Sequence, residues 1–192
     1  MYNPVEGKAM EYIELKNASG VPVPLAGVSF TGVNFTFSDG VLEPWQSAVI
    51  ISNDDPVAFA QKYPNAKILG TYRGALSNGG EEVNLLDPDG QRISSIRYGS
   101  QTPWPEEADG LGSSLERISL FNPEQDPTNW RASLVPGGTP GDVLLTEINR
   151  TGDGRISVKF LALPGNSYSL HATDDLGNGQ WEKLEDNAFV TE

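Results

Sequence analysis

Strand periodicity is clearest in the segment Glu11-Tyr12-Ile13-Glu14-Leu15-Lys16. Ile13 and Leu15 fall on one face and Glu14 and Lys16 on the other, a period of two that is typical of a half-buried β-strand. Residues 47–51 are apolar on both faces, which predicts a central strand. Further strand-like segments are residues 33–37, 82–86, 92–98, 115–120, 143–148, 156–163, 168–171 and 181–184.

Turn signals separate these segments at short intervals, among them Asp39-Gly40, Asn78-Gly79-Gly80 and Asp153-Gly154. Asp-Gly and Asn-Gly tolerate the positive φ that tight turns require. The 14 prolines and 21 glycines among 192 residues favour many short elements over long helices. Asp87-Pro88-Asp89-Gly90 lies between two strand-like segments and predicts a β-hairpin there.

One segment has helical spacing instead. Asp55 followed by Pro56 is a recognised helix start, Phe59 and Tyr63 then lie on one helical face, and Pro64 ends the pattern. We therefore predict a single short helix near residues 55–63 in an all-β fold, most simply a β-sandwich.

A domain boundary is predicted near residue 142. Val135-Pro136-Gly137-Gly138-Thr139-Pro140-Gly141 is rich in residues that cannot continue a strand ladder, and the strand pattern restarts after it. We expect a β-sandwich in residues 1–142 and a partial β-rich module in residues 143–192. The second piece is near the lower size limit for independent folding, so it packs on the first piece or is itself cut short.

Residues 1–142 carry a series of motifs in a fixed order. The first are Tyr2-Asn3-Pro4, Glu11-Tyr12-Ile13-Glu14-Leu15, Asn17, Leu25-Ala26-Gly27, Phe30, Leu42-Glu43-Pro44 and Val49-Ile50-Ile51. The later ones are Leu76-Ser77-Asn78-Gly79-Gly80-Glu81-Glu82-Val83, Asp109-Gly110-Leu111-Gly112-Ser113-Ser114-Leu115-Glu116-Arg117, Trp130 and Gly138-Thr139-Pro140-Gly141. On these motifs the segment resembles the lamin tail domain of bacterial proteins, which implies an immunoglobulin-like β-sandwich. Nearly all of the matched residues belong to strands and turns, so the resemblance implies an architecture and little chemistry.

The resemblance also implies a first strand that the sequence given mostly lacks, because the family's domain opens with a full strand before its Met-Tyr-Asn-Pro-like stretch. We hypothesise that Leu145-Thr146-Glu147-Ile148-Asn149 occupies the vacant edge beside residues 12–15. Residues 143–192 resemble a short module of secreted proteins of environmental bacteria, through Pro164-Gly165, Tyr168, Asp174-Asp175-Leu176 and Trp181-Glu182-Lys183-Leu184. We expect both ends of the sequence to be cuts in a longer protein.

The composition excludes several kinds of site. The absence of cysteine removes disulfides, thiolate metal ligands and cysteine nucleophiles. His171 is the single histidine, and no serine has a Gly-x-Ser-x-Gly context, so a catalytic triad is not expected. The net charge of −13 opposes contact with phosphates, so no nucleic-acid partner is expected. No apolar run is long enough for a transmembrane segment.

Acidic residues are candidates both for catalytic carboxylate pairs and for calcium ligands. The adjacent pairs Asp54-Asp55, Glu81-Glu82 and Glu106-Glu107 lie at turns or element ends, which favours solvated turn residues over the paired carboxylates of a glycosidase. Asp87, Asp89 and Asp153 lie in turns, as do Asp174-Asp175 near Asn178, and none forms the loop of an EF-hand. We expect no cofactor, with a weak structural calcium ion as the alternative.

Two tryptophans are the candidate ligand-facing residues. Trp45 follows Pro44 in a predicted turn, and Trp104 lies between Pro103 and Pro105, where no strand can form. Exposed indoles can stack on sugars, and the alternative is that both rings pack over the end of the sandwich. Trp130 and Trp181 are expected in the core.

These features predict a non-catalytic binding or spacer module of a larger extracellular or cell-surface bacterial protein, with a protein or polysaccharide partner. One alternative is an accessory domain of a secreted hydrolase, a nuclease or phosphatase, whose catalytic residues lie elsewhere in the full chain. Another is a carbohydrate-binding module that uses Trp45 or Trp104.

Overall fold

The computed structural model describes residues 1–120 and 122–141, and the backbone of four later strands. The chain divides into two compact units, Met1–Asp142 and Val143–Glu192. The first unit contains β1 (Tyr12–Lys16), β2 (Val23–Pro24), β3 (Ser29–Thr31), β4 (Phe35–Thr36), β5 (Val41–Leu42), β6 (Ser47–Ser52), α1 (Pro56–Lys62), β7 (Ile68–Tyr72), β8 (Gly80–Leu86), β9 (Arg92–Gly99), β10 (Leu115–Arg117) and β11 (Trp130–Ala132). Short 3-10 turns occupy Lys8–Met10, Glu106–Ala108 and Pro127–Asn129.

The first sheet has the order β1-β6-β7. β1 is antiparallel to β6, whereas β7 is parallel to β6 and follows it through α1. All six residues of β6 are buried, which confirms the predicted central strand. The sequence did not predict β7, because Gly70 interrupts its apolar pattern. The structure gives the reason for this glycine, since a Cβ there would lie 2.6 Å from the ring of Phe35.

The second sheet is antiparallel throughout and has the order β4-β3-β8-β9. β8 and β9 form the predicted hairpin, in which Glu82 lies opposite Arg97. The predicted strand at residues 33–37 is reduced to β4, and Val33 and Phe37 on either side of it are buried in the core.

The main core lies between the two sheets and draws on both of them. Its members include Leu25, Val28, Phe30, Val33, Phe37, Ile50, Tyr72, Val83 and Tyr98, and Ile13 and Leu15 pack against it as their alternation predicted. A second cluster covers the other face of the first sheet and contains Met10, Tyr12, Val49, Ile51 and Phe59. The fold is thus all-β and immunoglobulin-like, with a helix packed on the outer face of one sheet.

The predicted helix near residues 55–63 is confirmed as α1. Asp55 caps it by accepting a hydrogen bond of 3.0 Å from the backbone N–H of Ala58, and Pro56 occupies the first helical position. Phe59 is fully buried and fixes the helix on the first sheet.

The glycine-rich segment at the end of the first unit is held to the rest of that unit by two tyrosines. The carbonyl oxygen of Gly137 accepts hydrogen bonds from the hydroxyls of Tyr12 (3.2 Å) and Tyr63 (2.8 Å). Gly138 has a φ of +76°, and a Cβ on it would overlap the hydroxyls of Tyr12 and Ser114. This segment therefore needs glycine for close approach as well as for its backbone conformation.

In the second unit the structure describes four strands, β12 (Leu145–Arg150), β13 (Ile156–Phe160), β14 (Ser169–Ala172) and β15 (Glu182–Asp186). β12 pairs with β13, and β14 pairs with β15, both antiparallel. The proposed position of residues 145–149 beside β1 concerns two separate units and stays a prediction. Trp181, Asp153, Asp174, Asp175 and Asn178 lie outside the described residues.

Candidate binding surface

Trp45 lies in a tight turn with an unusual backbone conformation. The N–H of Gln46 donates a hydrogen bond of 3.1 Å to the carbonyl of Glu43, which closes the turn with Pro44 and Trp45 at its centre. Trp45 has a φ of 61°, and it is the one residue other than glycine with a positive φ among the described residues. Glycine or asparagine normally occupies this position, because a Cβ disfavours it. The indole is nonetheless 40% exposed and belongs to neither core cluster.

Asn17 anchors this turn from beneath. Its buried side-chain amide donates to three backbone carbonyls, those of Val21 (2.8 Å), Leu42 (3.0 Å) and Glu43 (3.0 Å). Its side-chain oxygen accepts from the N–H and the hydroxyl of Ser19. One side chain therefore holds together the loop after β1, the end of β5 and the start of the Trp45 turn.

Gln46 locks the turn from the other side. Its Oε1 atom accepts hydrogen bonds from the N–H of Glu43 (3.1 Å) and from Nζ of Lys67 (2.7 Å). The Trp45 turn is thus fixed by backbone and side-chain bonds at both ends. An exposed ring on such a turn loses little conformational entropy when it binds a ligand.

Two exposed apolar side chains, Val21 and Val41, belong to the segments beside the Trp45 turn. Val21 is 63% exposed and Val41 is 42% exposed, and the short antiparallel pair of β2 and β5 brings their segments together.

The structure places the other candidate, Trp104, in a different setting. Trp104 is half-buried and packs against the main core, with its ring centroid 6.3 Å from that of Trp130. A Cβ on Gly99 would lie 2.9 Å from the Trp104 ring, so this glycine makes room for it. Trp130 is half-buried too, and its Nε1–H donates to the carbonyl of Glu124 at 2.9 Å. Among the described residues no ring contact joins Trp45 to Trp104.

The acidic pairs have structural partners. Oε1 of Glu81 accepts from the N–H of Ser77 (2.6 Å) and the hydroxyl of Tyr98 (3.1 Å), while Glu82 pairs with the exposed Arg97. Asp54 pairs with Lys8. A shallow groove of about 390 Å³ lies over Gly79, Gly80 and the Glu82–Arg97 pair.

The predicted turn at Asp87 is confirmed by its bonding, since its carboxylate accepts from the N–H groups of Asp89 (3.0 Å) and Gln91 (2.7 Å). In the described part of the chain no group of three or more potential metal-ligating side chains lies together. His171 lies in β14, opposite Lys183 of β15. No helix in the described residues has the length and apolar composition needed to cross a bilayer.

Glu11 and two tyrosines, Tyr72 and Tyr2, are buried ionisable groups of the first unit. Glu11 is almost fully buried, and its Oε2 atom accepts from the hydroxyl of Tyr72 (3.0 Å) and the N–H of Leu76 (2.9 Å). Burial raises the pKa of Glu11 above its usual 4.5, although these two bonds act in the opposite direction. Burial and the charge of Asp109 raise the pKa of Tyr2 to about 12. Glu11 thus links strands and loops within the domain, whereas the buried hydroxyl of Tyr2 has no hydrogen-bond partner among the described residues.

The fold and this surface define an all-β, immunoglobulin-like domain that presents one strained, exposed tryptophan. A family model for the lamin tail domain matches residues 1–100, more than half of the 192-residue chain. The chain therefore belongs to the lamin tail domain family, a non-catalytic immunoglobulin-like family. No curated protein matches the sequence.

The structural role of Asn17 was not predictable from the sequence beyond its place in the family motif. A signal was present, because Asn17-Ala18-Ser19-Gly20 directly follows a strand, and an Asn two residues before a Ser can form an Asx turn. The three carbonyls that its amide binds come from positions up to 26 residues away, and no local pattern reveals them.

Proposed function

We propose that this chain is a non-catalytic binding module of a larger extracellular or cell-surface bacterial protein, and that Trp45 is its contact residue. The observation that carries the proposal is the left-handed backbone of Trp45 together with its exposed ring. A left-handed residue with a Cβ costs about 1–2 kcal/mol relative to an ordinary conformation. Strain of this kind, at a residue that contributes to neither core, favours a role in binding over a role in folding.

The ligand class that fits Trp45 best is a neutral polysaccharide. An exposed indole offers a flat apolar face on which the C–H groups of a sugar ring can stack. Glu43 and Gln46 belong to the same turn as Trp45, and Lys67 is bonded to Gln46, so polar side chains occur in and beside this turn. The net charge of −13 disfavours anionic polymers such as nucleic acids.

Co-sedimentation with insoluble polysaccharides tests this proposal. The 192-residue chain is incubated with cellulose, chitin or insoluble starch, all three uncharged, and the protein left in the supernatant is measured. We expect binding to at least one of the three, with a marked loss for Trp45→Ala. Val57→Ala is the control, because Val57 is an exposed apolar residue on α1. Absence of binding to all three, or equal binding by Trp45→Ala, would contradict the proposal.

A further inference from the structure

The loop before β8 contains an asparagine followed directly by a glycine, in a turn that is open to solvent. Asn78 and Gly79 are the central residues of this turn, and the N–H of Gly80 closes it by donating a hydrogen bond of 3.1 Å to the carbonyl of Ser77. Both central residues are exposed. Among the described residues the side-chain amide of Asn78 has no hydrogen-bond partner, so no bond holds it in one position.

The backbone nitrogen of Gly79 is accessible to that amide. In the part of the chain that the structure describes, the N–H of Gly79 donates to no acceptor. Apart from its chain neighbours, a Cβ at this position would meet only the hydroxyl of Ser77, at 4.0 Å, so the surroundings of Gly79 are open. Glycine also has no side chain to shield its nitrogen, and its backbone is the least restricted of any residue. The side-chain carbonyl carbon of Asn78 can therefore approach this nitrogen.

An asparagine side chain in this position can react with the nitrogen that follows it. A bond forms between the nitrogen of Gly79 and Cγ of Asn78, the Cγ–Nδ2 bond breaks, and Nδ2 leaves as ammonia with the proton of that nitrogen. Solvent water then opens the resulting succinimide ring. Attack of water on Cγ yields aspartate, whereas attack on the main-chain carbonyl carbon yields isoaspartate, in which the backbone runs through the side chain. The reaction needs no other reagent, and asparagine is accordingly among the thermolabile residues of proteins.

We propose that Asn78 is a modification site of this domain, at which the chain converts spontaneously to isoaspartate and aspartate through the unbonded N–H of Gly79. Asn65 shows why the turn matters. It is also exposed and also lies in a turn, but the N–H after it belongs to Ala66 and donates to the carbonyl of Tyr63 at 3.1 Å. The nitrogen that follows the asparagine is thus engaged at Asn65 and available at Asn78.

Isoaspartate lengthens the turn where both of its ends are fixed. The N–H of Ser77 donates to Oε1 of Glu81 (2.6 Å), and the carbonyl of Ser77 accepts from the hydroxyl of Tyr98 (2.9 Å). On the other side, Gly80 is the first residue of β8 and lies opposite Gly99 of β9. An additional backbone carbon between Ser77 and Gly80 must distort or break the hydrogen bond that joins them. The isoaspartate form should therefore unfold at a lower denaturant concentration than the original chain.

Peptide mapping by mass spectrometry tests the site. The 192-residue chain is kept at mildly alkaline pH, and samples are digested at intervals. We expect the mass gain of deamidation to appear first and mainly at Asn78, as two chromatographically separate products, with Asn65 largely unchanged over the same time. Gly79→Ala should slow the conversion several-fold and should fold normally, because Gly79 does not have a positive φ and a Cβ there has room. Equal rates at Asn78 and Asn65, or an unchanged rate in folded Gly79→Ala, would overturn the proposal.

Ala66→Gly tests the role of the unbonded N–H without any change at Asn78 or Gly79. The substitution creates a second Asn-Gly pair, at Asn65, whose following N–H is the one that donates to the carbonyl of Tyr63. Asn65 in this variant should convert more slowly than Asn78 in the same molecule. Equal rates at the two asparagines would show that the turn does not determine the site and would overturn the proposal.

Urea unfolding tests the effect of the modification on the turn. The isoaspartate form is separated from the unmodified chain by anion exchange and then from the aspartate form by reversed-phase chromatography, and it is refolded before the measurement. Freshly prepared Asn78→Asp is the control, because it adds the same charge without the additional backbone carbon. The isoaspartate form should have the lower midpoint of the two. Equal midpoints would show that the fixed ends of the turn do not resist lengthening and would overturn the predicted loss of stability.

Discussion

Glu11 and Tyr72 are joined by a hydrogen bond of 3.0 Å between the Oε2 atom of the carboxylate and the tyrosine hydroxyl. The same oxygen accepts the N–H of Leu76 at 2.9 Å, so one buried carboxylate connects the start of β1, the end of β7 and the loop before β8. Glu11 belongs to the motif by which the family is recognised, and its contacts give that motif a structural explanation.

Replacing Glu11 with alanine should destabilise the domain by about 3 kcal/mol, because the Tyr72 hydroxyl and the Leu76 N–H would then be buried without an acceptor. Urea unfolding of Glu11→Ala and of the wild type measures the difference. Glu14→Ala is a useful comparison, because Glu14 occupies the exposed position of β1 and accepts one backbone bond, from Gly141. Equal stabilities of Glu11→Ala and the wild type would contradict this role.

Glu11 should also make the stability depend on pH in a known direction. Its pKa is raised in the folded state, so the folded protein binds more protons than the unfolded chain between the usual 4.5 and the raised value. The contribution of Glu11 to stability is therefore fully present below pH 4.5, and it falls as the pH rises from 4.5 through the raised pKa. The wild type should gain stability relative to Glu11→Gln as the pH is lowered through this range. An unchanged difference in unfolding free energy would contradict the raised pKa.

Gly138 and Gly90 form a matched pair for testing the close packing of the glycine-rich segment. Both have a positive φ, +76° and +80°, but a Cβ at Gly138 would overlap two hydroxyls, whereas one at Gly90 would meet nothing within 4 Å. Gly90→Ala should cost about 1–2 kcal/mol, the price of the backbone conformation alone. Gly138→Ala should cost clearly more in thermal or urea unfolding. Equal costs would contradict the packing of Gly138 against Tyr12 and Ser114.

The fold was largely predictable from the sequence, since the period-two pattern of β1, the apolar run of β6 and the capped helix are local signals. β7 was not predictable, because Gly70 interrupts its apolar pattern. A glycine is needed there to leave room for the ring of Phe35, which is remote in sequence. The site was predictable only in part. Pro44-Trp45 indicates a turn, but the positive φ of Trp45 and the packing of Trp104 on Trp130 depend on tertiary contacts.

Asn17→Asp should destabilise the domain by about 3 kcal/mol, because a carboxylate cannot donate to the carbonyls of Val21, Leu42 and Glu43. The substitution should also loosen the Trp45 turn, so the backbone amide of Gln46 should exchange its hydrogen faster. Asn34→Asp is the matched control, since Asn34 is exposed and the same charge is introduced. Similar effects of the two substitutions would assign the loss to charge and not to the anchoring of the turn.

Trp45→Gly and Trp45→Ala separate the backbone of the turn from its ring. Both remove the indole, but glycine adopts a φ of 61° without a Cβ penalty. Trp45→Gly should therefore be more stable than Trp45→Ala by about 1–2 kcal/mol in urea unfolding. Equal stability of the two variants would contradict the left-handed conformation on which the proposed function rests.

The role of Trp45 in binding is tested most directly by the affinity of Trp45→Gly for the polysaccharide that binds the wild type, measured as a depletion isotherm. This variant keeps the turn and lacks only the indole, so stability and binding are separated. If Trp45 is the contact residue, the affinity of this variant falls by about tenfold or more, which corresponds to ~1.4 kcal/mol, while Val57→Ala binds as the wild type does. Wild-type affinity in Trp45→Gly would contradict the claim that Trp45 is the contact residue.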